Sequence, residues 1–568
     1  MVGKLVRSHK GALWLLVLAG AAITAAPAQA DNRLPSAADA GRLQQDRTPP
    51  PVPEAESGTA MTVPVEETVM APAGAEKLFF VLKDIVIEGA HRYSAEELLA
   101  PYARWRGGEI PLSQVYDVAS SILRHYHRDG YSFVSVIVPP QQIASGIVHI
   151  RVIEGYVSRV TVEGIAETPL VADLERRLME MRPLHAPALE ENLLLLGDLP
   201  GIIVKGIVEP DRQSGEEGAL VLRLVGQTKS VDASVSVDNY ASRYTGPWEV
   251  TPMLAANGML RNYDRTMLSG LSSIPYREAH YYSLSHSEVI DLRDTATITV
   301  SRSASAPGFT LAPEDIVSRT TGISVSLRHA LLRSRAENWS MTGTFEANNL
   351  ESDILGTTLY RDRIRAFRLN SSYDTVDRWQ GTDLFNLTLS QGLNGLHARQ
   401  TGDPDLSRAK GRSDFTKLEL TASRLQPLPA EFGAYTLVKG QYAPSALLAS
   451  EEFGYGGPFI GRGYDPSEIT GDRGIALSEE LRYYGAPAAL GIHSQPFAFY
   501  DIGKIWNEFA GGEAHSAASA GIGLHAEHEK GISATVFLAW PLTRTPAAPP
   551  STSHPDAPRL GLFLSAQY

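Results

Sequence analysis

From about Thr228 to Tyr568 the chain keeps one beat: apolar and polar residues alternate in short stretches, and no helical period appears. Val231, Ala233, Val235 and Val237 fall on one face of a strand, and Asp232, Ser234, Ser236 and Asp238 on the other. Ala296, Ile298 and Val300 repeat the pattern, as do Ile323, Val325 and Leu327, then Phe385, Leu387 and Leu389, and Ile532, Ala534 and Val536. A two-residue period is that of a half-buried strand, whose side chains point alternately to opposite faces. One such strand also suits a soluble antiparallel sandwich. Here the second face is Ser, Thr, Asp, Arg and Asn throughout, which leaves no apolar layer for a second sheet. A closed barrel with lipid outside and water inside accounts for both faces, because closure satisfies every backbone group in a bilayer.

A mean hydropathy of −0.13 fits this reading, since half of each strand faces water. No later stretch reaches the roughly 20 consecutive apolar residues of a transmembrane helix. The absence of cysteine excludes thiol catalysis and disulfide staples, and a net charge of −13 argues against phosphate-backbone binding. Residues 1–30 read as a cleaved export signal: Lys4, Arg7 and Lys10 precede an apolar run over 13–22 and a small-x-small site at Ala28-Gln29-Ala30.

Residues 31–77 read as a linker, in which Pro49, Pro50, Pro51, Pro53, Pro64 and Pro72 remove backbone donors and stiffen the chain. Within it, residues 36–47 allow one short helix with Ser36 as N-cap and Pro49 as stop; a disordered tail is the competing reading. At Leu78 the pattern turns to strand and helix. Residues 79–82 and 85–87 are β-rich, Ser94 caps a helix through residue 100 with Glu97 at the capping-box position, and a second helix over 112–127 repeats Val115, Val118, Ile122 and Tyr126. Strands follow at 133–138 and 147–153. This β-α-α-β-β unit, 78–155, recurs over 156–227, with a strand at 157–162, helices near 170–181 and 188–196, and strands at 202–208 and 219–225.

The first unit carries Tyr126, Gly130-Tyr131, a turn built on Pro139, Gln141, Ile143 and Gly146, and a closing Glu154-Gly155; the second has Leu199-Pro200-Gly201. Further on, Arg462-Gly463-Tyr464 precedes Gly471-Asp472-Arg473-Gly474, and Phe499-Tyr500-Asp501-Ile502-Gly503 follows. With these motifs in this order, the chain resembles the outer-membrane transporters of two-partner secretion, the TpsB proteins of the ShlB/FhaC/HecB family. The resemblance implies α+β periplasmic repeats plus an all-β region: two tandem POTRA domains, 78–155 and 156–227, then a transmembrane antiparallel β-barrel of 16 strands over 228–568. It implies further that Arg462, Gly463 and Tyr464 tip a loop folded into the lumen, that Arg462 reaches Asp501 on the inner wall, and that residues 36–47 plug the barrel. A guanidinium offers a planar fork to a carboxylate, and a lumen shields such a pair from screening. Phe499, Asp501 and Gly503 share one strand face, where Gly503 leaves room for a close approach. Gly461 stands where the family usually has a branched apolar residue, which predicts a looser loop tip.

By the same resemblance the protein moves one secreted partner of TpsA type, unfolded, from periplasm to cell surface. The POTRA domains would recognise it by β-augmentation at the strands 133–138 or 202–208. The cargo is left open among an adhesin, a cytolysin, a contact-dependent toxin and a surface enzyme. Outer-membrane lipid and the barrel-assembly machinery are further expected partners; nucleic acid, metal and cofactor are not. No nucleotide-binding motif appears, so cargo folding outside would bias the movement. A barrel-assembly or insertase protein of the same superfamily is the nearer rival, although it typically carries more than two periplasmic repeats. A barrel-borne surface hydrolase is the other. For it, His525 and His528 lack the helix of an HExxH motif and read as solvated loop residues, while Asp472, Glu479 and Glu480 could be read as paired carboxylates. Gly454-Tyr455-Gly456-Gly457 lacks the strand-to-helix setting of a phosphate loop and reads as a turn.

Overall fold

The computed structural model describes residues 34–568 except 44–46, 48, 51–67, 509–512 and 550–552, so the expected export signal and much of the linker lie outside the described residues. Ser94 opens the first helix because its side chain accepts the Glu97 amide at 3.1 Å, satisfying one orphan N–H of the first turn. The first unit runs β1 (Phe79–Val81), β2 (Asp84–Glu88), α1 (Ala95–Leu99), β3 (Glu109–Pro111), α2 (Leu112–Arg128), β4 (Val134–Ile137) and β5 (Ile147–Glu154). Its main sheet has the order β2-β5-β4, with β2 parallel to β5. The expected β-rich stretch 79–82 forms β1, which pairs in a separate ribbon with β3, an added strand whose three residues are too short to show a period. Helix α2 buries Val115, Val118, Ile122 and Tyr126 as one stripe against this sheet.

The second unit repeats the design with β6 (Tyr156–Glu163), α3 (Pro169–Glu180), α4 (Ala186–Gly197), β7 (Ile202–Pro210) and β8 (Ala219–Thr228), in the sheet order β6-β8-β7. Its core of Val157, Leu174, Leu178, Leu189 and Leu222 also takes in Tyr263 and Leu292 from two barrel turns. The Tyr263 hydroxyl donates to the Ala166 carbonyl at 2.5 Å, and Arg333 forks onto Asp198 at 2.7 and 2.8 Å.

Sixteen antiparallel strands, from Val231–Asp238 to Arg559–Gln567, form a closed barrel in which the last pairs with the first. Alternation divides the wall. Val235, Leu254, Leu268, Leu284, Val300, Val325 and Leu387 are exposed outside, while Glu249, Ser303, Ser478 and Asp501 are buried inside. An apolar band of this extent matches hydrocarbon rather than water. Among the described residues no helix is long and apolar enough to cross a membrane. Between the strands Phe432–Tyr442 and Arg473–Tyr483, residues 443–472 fold back into the lumen around a small hairpin, Phe453–Tyr455 against Ile469–Gly471.

The N-terminal segment also lies inside the barrel, but not as the single helix expected over 36–47. Ser36–Ala38 is a 3₁₀ turn with no side-chain cap, Asp39 is extended, and a turn follows over 40–43; Gln44 and Gln45 are outside the described residues. The barrel wall replaces the helical bonds. Ser303 and Ser305 donate to the carbonyls of Ala40 and Ala38 at 2.8 and 2.9 Å, and the Gly41 amide bonds to Asp39 Oδ1 at 2.8 Å, which leaves those groups no need of a helix.

Candidate functional site

The strands Arg473–Tyr483 and Ile492–Trp506 pair Ser478 with Asp501, and alternation turns Ser478, Glu480, Phe499, Asp501 and Gly503 toward the lumen. Arg462, at the loop tip, is buried against them. Its Nη2 donates to Asp501 Oδ1 at 2.7 Å and its Nε to Oδ2 at 3.0 Å, while its own backbone N–H donates to Oδ2 at 2.9 Å. Two further guanidinium protons go to Ser478 Oγ at 2.8 Å and to Glu480. The Phe499 ring centroid lies 3.5 Å from the Arg462 Cζ, adding a cation–π contact. Asp501 accepts in addition from Ser519 at 3.3 Å. Sequence reasoning paired Arg462 with Asp501 alone. The signal for Glu480 was its even position on an alternating strand, shared with Ser478.

Close approach sets the rest of the loop. A Cβ on Gly503 would fall 2.2 Å from the Tyr455 ring, so glycine is what lets the hairpin lie against the wall. Gly461 does not loosen the tip as expected. It adopts φ +81°, and a side chain there would meet the Gly456 backbone and the Tyr455 ring at 2.9 Å, so a branched residue would push this hairpin off the wall. Gly463 packs on Ser519 and Pro541, and the buried Tyr464 donates its hydroxyl to the Ala518 carbonyl at 2.9 Å.

Three further contacts pin the loop and had no sequence signal, because their partners are distant in the chain. Asp472 pairs with Arg408 and accepts the amides of Leu447 and Glu508 at 2.8 and 2.9 Å. Glu451 receives Arg368 and Lys417 from the wall at 2.7 and 2.9 Å. Arg42 of the N-terminal segment donates to the carbonyls of Ala449 and Glu452, both at 3.0 Å, and to Ser467 Oγ at 2.9 Å. Between segment and wall remains a polar cavity of about 480 Å³ lined by Gly41, Glu346, Arg368, Lys417 and Glu451.

The residues of the hydrolase reading do not assemble. Glu479 and Glu480, adjacent on a strand, point to opposite faces, Glu479 bonding Thr436 and Glu480 facing Arg462. His525 is not a solvated loop residue: it sits on the strand Ala514–His528, stacked 4.3 Å from Phe497, with Nδ1 at 2.9 Å from Thr535 Oγ1. Of the expected turn 454–457, Gly454 and Tyr455 lie instead on the strand Phe453–Tyr455, and Gly456 and Gly457 leave it with φ near +120°.

In the first unit, Tyr126 is fully buried and its hydroxyl donates to Glu154 Oε1 at 2.6 Å; the same carboxylate accepts the amides of His91 and Arg92. Burial and the Glu154 carboxylate hold the Tyr126 phenol well above its ordinary pKa, so it remains a donor. Gly130 ends α2 at φ +87°, Tyr131 packs edge-on to His185 of the second unit at 5.2 Å, and the Gly155 amide donates to the Phe133 carbonyl at 2.9 Å. Gln141 clamps the turn, bonding the Pro139 carbonyl at 3.2 Å and His149 through both its amide and its carbonyl at 2.7 and 2.8 Å; Gly146 at φ +78° lets that turn approach Val81. These contacts shape the unit and its junction rather than an exposed edge. Tyr126→Phe is expected to cost about 1.5–3 kcal/mol, the worth of a hydrogen bond to a charged group, read as faster proteolysis of this unit in the full chain.

A closed 16-strand barrel with a lumen loop and two α/β units at one end defines an outer-membrane transporter with periplasmic POTRA domains. Residues 218–526 match the haemolysin secretion/activation proteins ShlB/FhaC/HecB and residues 80–155 the ShlB-type POTRA domain; the chain belongs to the ShlB/FhaC/HecB family. Transporters of this TpsB type serve secretion and work with TpsA-type partner proteins. The outer membrane transporter CdiB of Escherichia coli is 25% identical over 485 residues, 77% of each chain. The heme/hemopexin transporter protein HuxB of Haemophilus influenzae (strain 86-028NP) is 24% identical over 426 residues, 72% of each. The structure of CdiB from Escherichia coli superposes with a TM-score of 0.68 at 20% identity, covering 88% of this chain and 93% of that one.

Proposed function

We propose that the protein translocates one unfolded partner from periplasm to cell surface through its own lumen, with the Arg462 loop and the N-terminal segment as the displaceable obstructions. The observation that carries this reading is that the loop is tied to the wall through the polar hub of Arg462 on Asp501, Glu480 and Ser478, while Arg42 ties the N-terminal segment to the loop, alongside a small apolar cluster of Tyr455, Tyr464 and Ile469 against Ala476 and Ala517. The polar contacts can be exchanged for water or for the backbone of a passing chain. Recognition is assigned to a POTRA edge. Both β4 and β7 lie at sheet edges, and β7 also exposes Ile203 and Ile207, so an extended partner segment pairing there gains backbone bonds and apolar contact together. No step in this scheme requires a nucleotide or a catalytic residue.

Deleting the chain should leave one large protein retained in the periplasm and absent from the surface, identified by mass spectrometry of fractionated cells. General loss of other outer-membrane barrels would instead favour the assembly reading.

A further inference from the structure

A barrel turn that enters the second POTRA core carries a cluster with no part in the lumen. Residues 258–264 join the strands Trp248–Asn257 and Arg265–Ile274, and Tyr263, at φ +71°, is the residue bonded to Ala166. The next residue, Asp264, is fully buried. Its Oδ2 accepts the Leu260 amide at 2.9 Å, while its Oδ1 is buried without a hydrogen-bond partner. Strand register sets Arg265 and Thr266 opposite Ser287 and His286 of the strand Ala279–Val289, which brings His286 and Glu288 beside Asp264. One donor atom from each of the three residues lies within 4.8 Å of the others. His286 Nδ1 is 2.9 Å from Thr266 Oγ1; with that nitrogen donating, the Nε2 lone pair is free, 3.7 Å from Glu288 Oε2. Arg261 takes the other Glu288 oxygen at 3.2 Å.

The lone pairs of His286 Nε2 and Glu288 face one another, and Nδ1 of the same imidazole lies 4.0 Å from Oδ2 of a buried carboxylate that keeps its other oxygen without a donor; these are groups that a cation joins. We propose that Asp264, His286 and Glu288 form a divalent-cation site that fastens the Tyr263 turn to the neighbouring strand Ala279–Val289, and so braces the turn that enters the second POTRA core. One imidazole and two carboxylates suit Zn²⁺, which accepts mixed nitrogen and oxygen ligands, better than Ca²⁺, which takes oxygen alone. Thr266 plays the part of the outer partner that orients a metal-binding histidine.

The test uses the untagged full chain, folded in detergent and stripped with chelator. Calorimetric titration with Zn²⁺ should show one saturable site that is lost in His286→Ala and weakened at least about tenfold in Glu288→Gln, with weaker binding of Ca²⁺. Both side chains are partly exposed on a strand, so both variants should keep a heat-modifiable barrel. Zn²⁺ should also slow proteolysis at 258–264 in the parent chain and not in His286→Ala. Absence of saturable Zn²⁺ binding in the parent, or unchanged stoichiometry in His286→Ala, overturns the site. Tighter binding of Ca²⁺ overturns the ligand class, and equal protection of parent and variant overturns the fastening role.

Discussion

Arg462→Ala is expected to lower the partner at the cell surface by at least about tenfold while a folded barrel remains in the outer membrane. The reason is an imbalance of charge in a buried place. Removing the guanidinium leaves Asp501, among the described residues, with the Ser519 hydroxyl and the backbone amide of residue 462, and deprives Glu480 of a cation while Arg482 stays. Breaking a buried pair from one side costs on the order of 3–5 kcal/mol, and every 1.4 kcal/mol is a factor of ten in a docking equilibrium. That loss falls on the docked loop. The wall itself is held by its strand ladders, and the pair joins loop to wall rather than strand to strand. Asp501→Ala should do less damage than Arg462→Ala, because Arg462 keeps Glu480 and Ser478. Surface labelling of the partner, alongside heat-modifiable migration of the barrel, checks both. Unchanged secretion in the two variants would remove the loop lock from the mechanism.

Deleting residues 31–47 should raise single-channel conductance several-fold in planar bilayers. The segment enters the lumen at Ala38 and Ala40, lines the polar cavity with Gly41, and is anchored by Arg42 to the loop and by Arg47 to Glu249 at 2.7 Å. Arg42→Ala is the finer test. It removes the donors that Ala449 and Glu452 carbonyls receive, and a buried acceptor left without a partner costs about 1–3 kcal/mol. The segment would then remain present but leave the lumen more often, so brief openings should become about ten times more frequent. Conductance unchanged by the deletion would mean that the segment is a tail rather than a plug.

Much of the architecture was legible because two periods differ so clearly. The alternation in Val231, Val235, Ile323, Val325, Phe385 and Leu387 marks the lipid face, and the same residues stand exposed on the outer wall. The helices of the periplasmic units announced themselves by the stripe of Val115, Val118, Ile122 and Tyr126 and by the Ser94 cap. β1 showed as the β-rich run 79–82, but its partner β3 did not, since three residues carry no period. The helix expected at 36–47 failed for another reason: local propensity has no knowledge of Ser303 and Ser305, which satisfy its backbone from across the lumen. Gly461 was misread because its meaning lies in a left-handed backbone and in the nearby Tyr455 ring, neither of which adjacent residues reveal.

The sequence by itself determined the order of parts, the two faces of each strand, and the family through Arg462-Gly463-Tyr464 and Phe499-x-Asp501-x-Gly503. Those are local properties, set by side-chain periodicity and by short motifs. Only the tertiary structure decided that Arg462 is shared among Asp501, Glu480 and Ser478, that Asp472 belongs to Arg408, and that Arg42 ties the N-terminal segment to the loop. Ion pairs in a lumen join residues that barrel closure alone brings together, and no spacing along the chain encodes that approach.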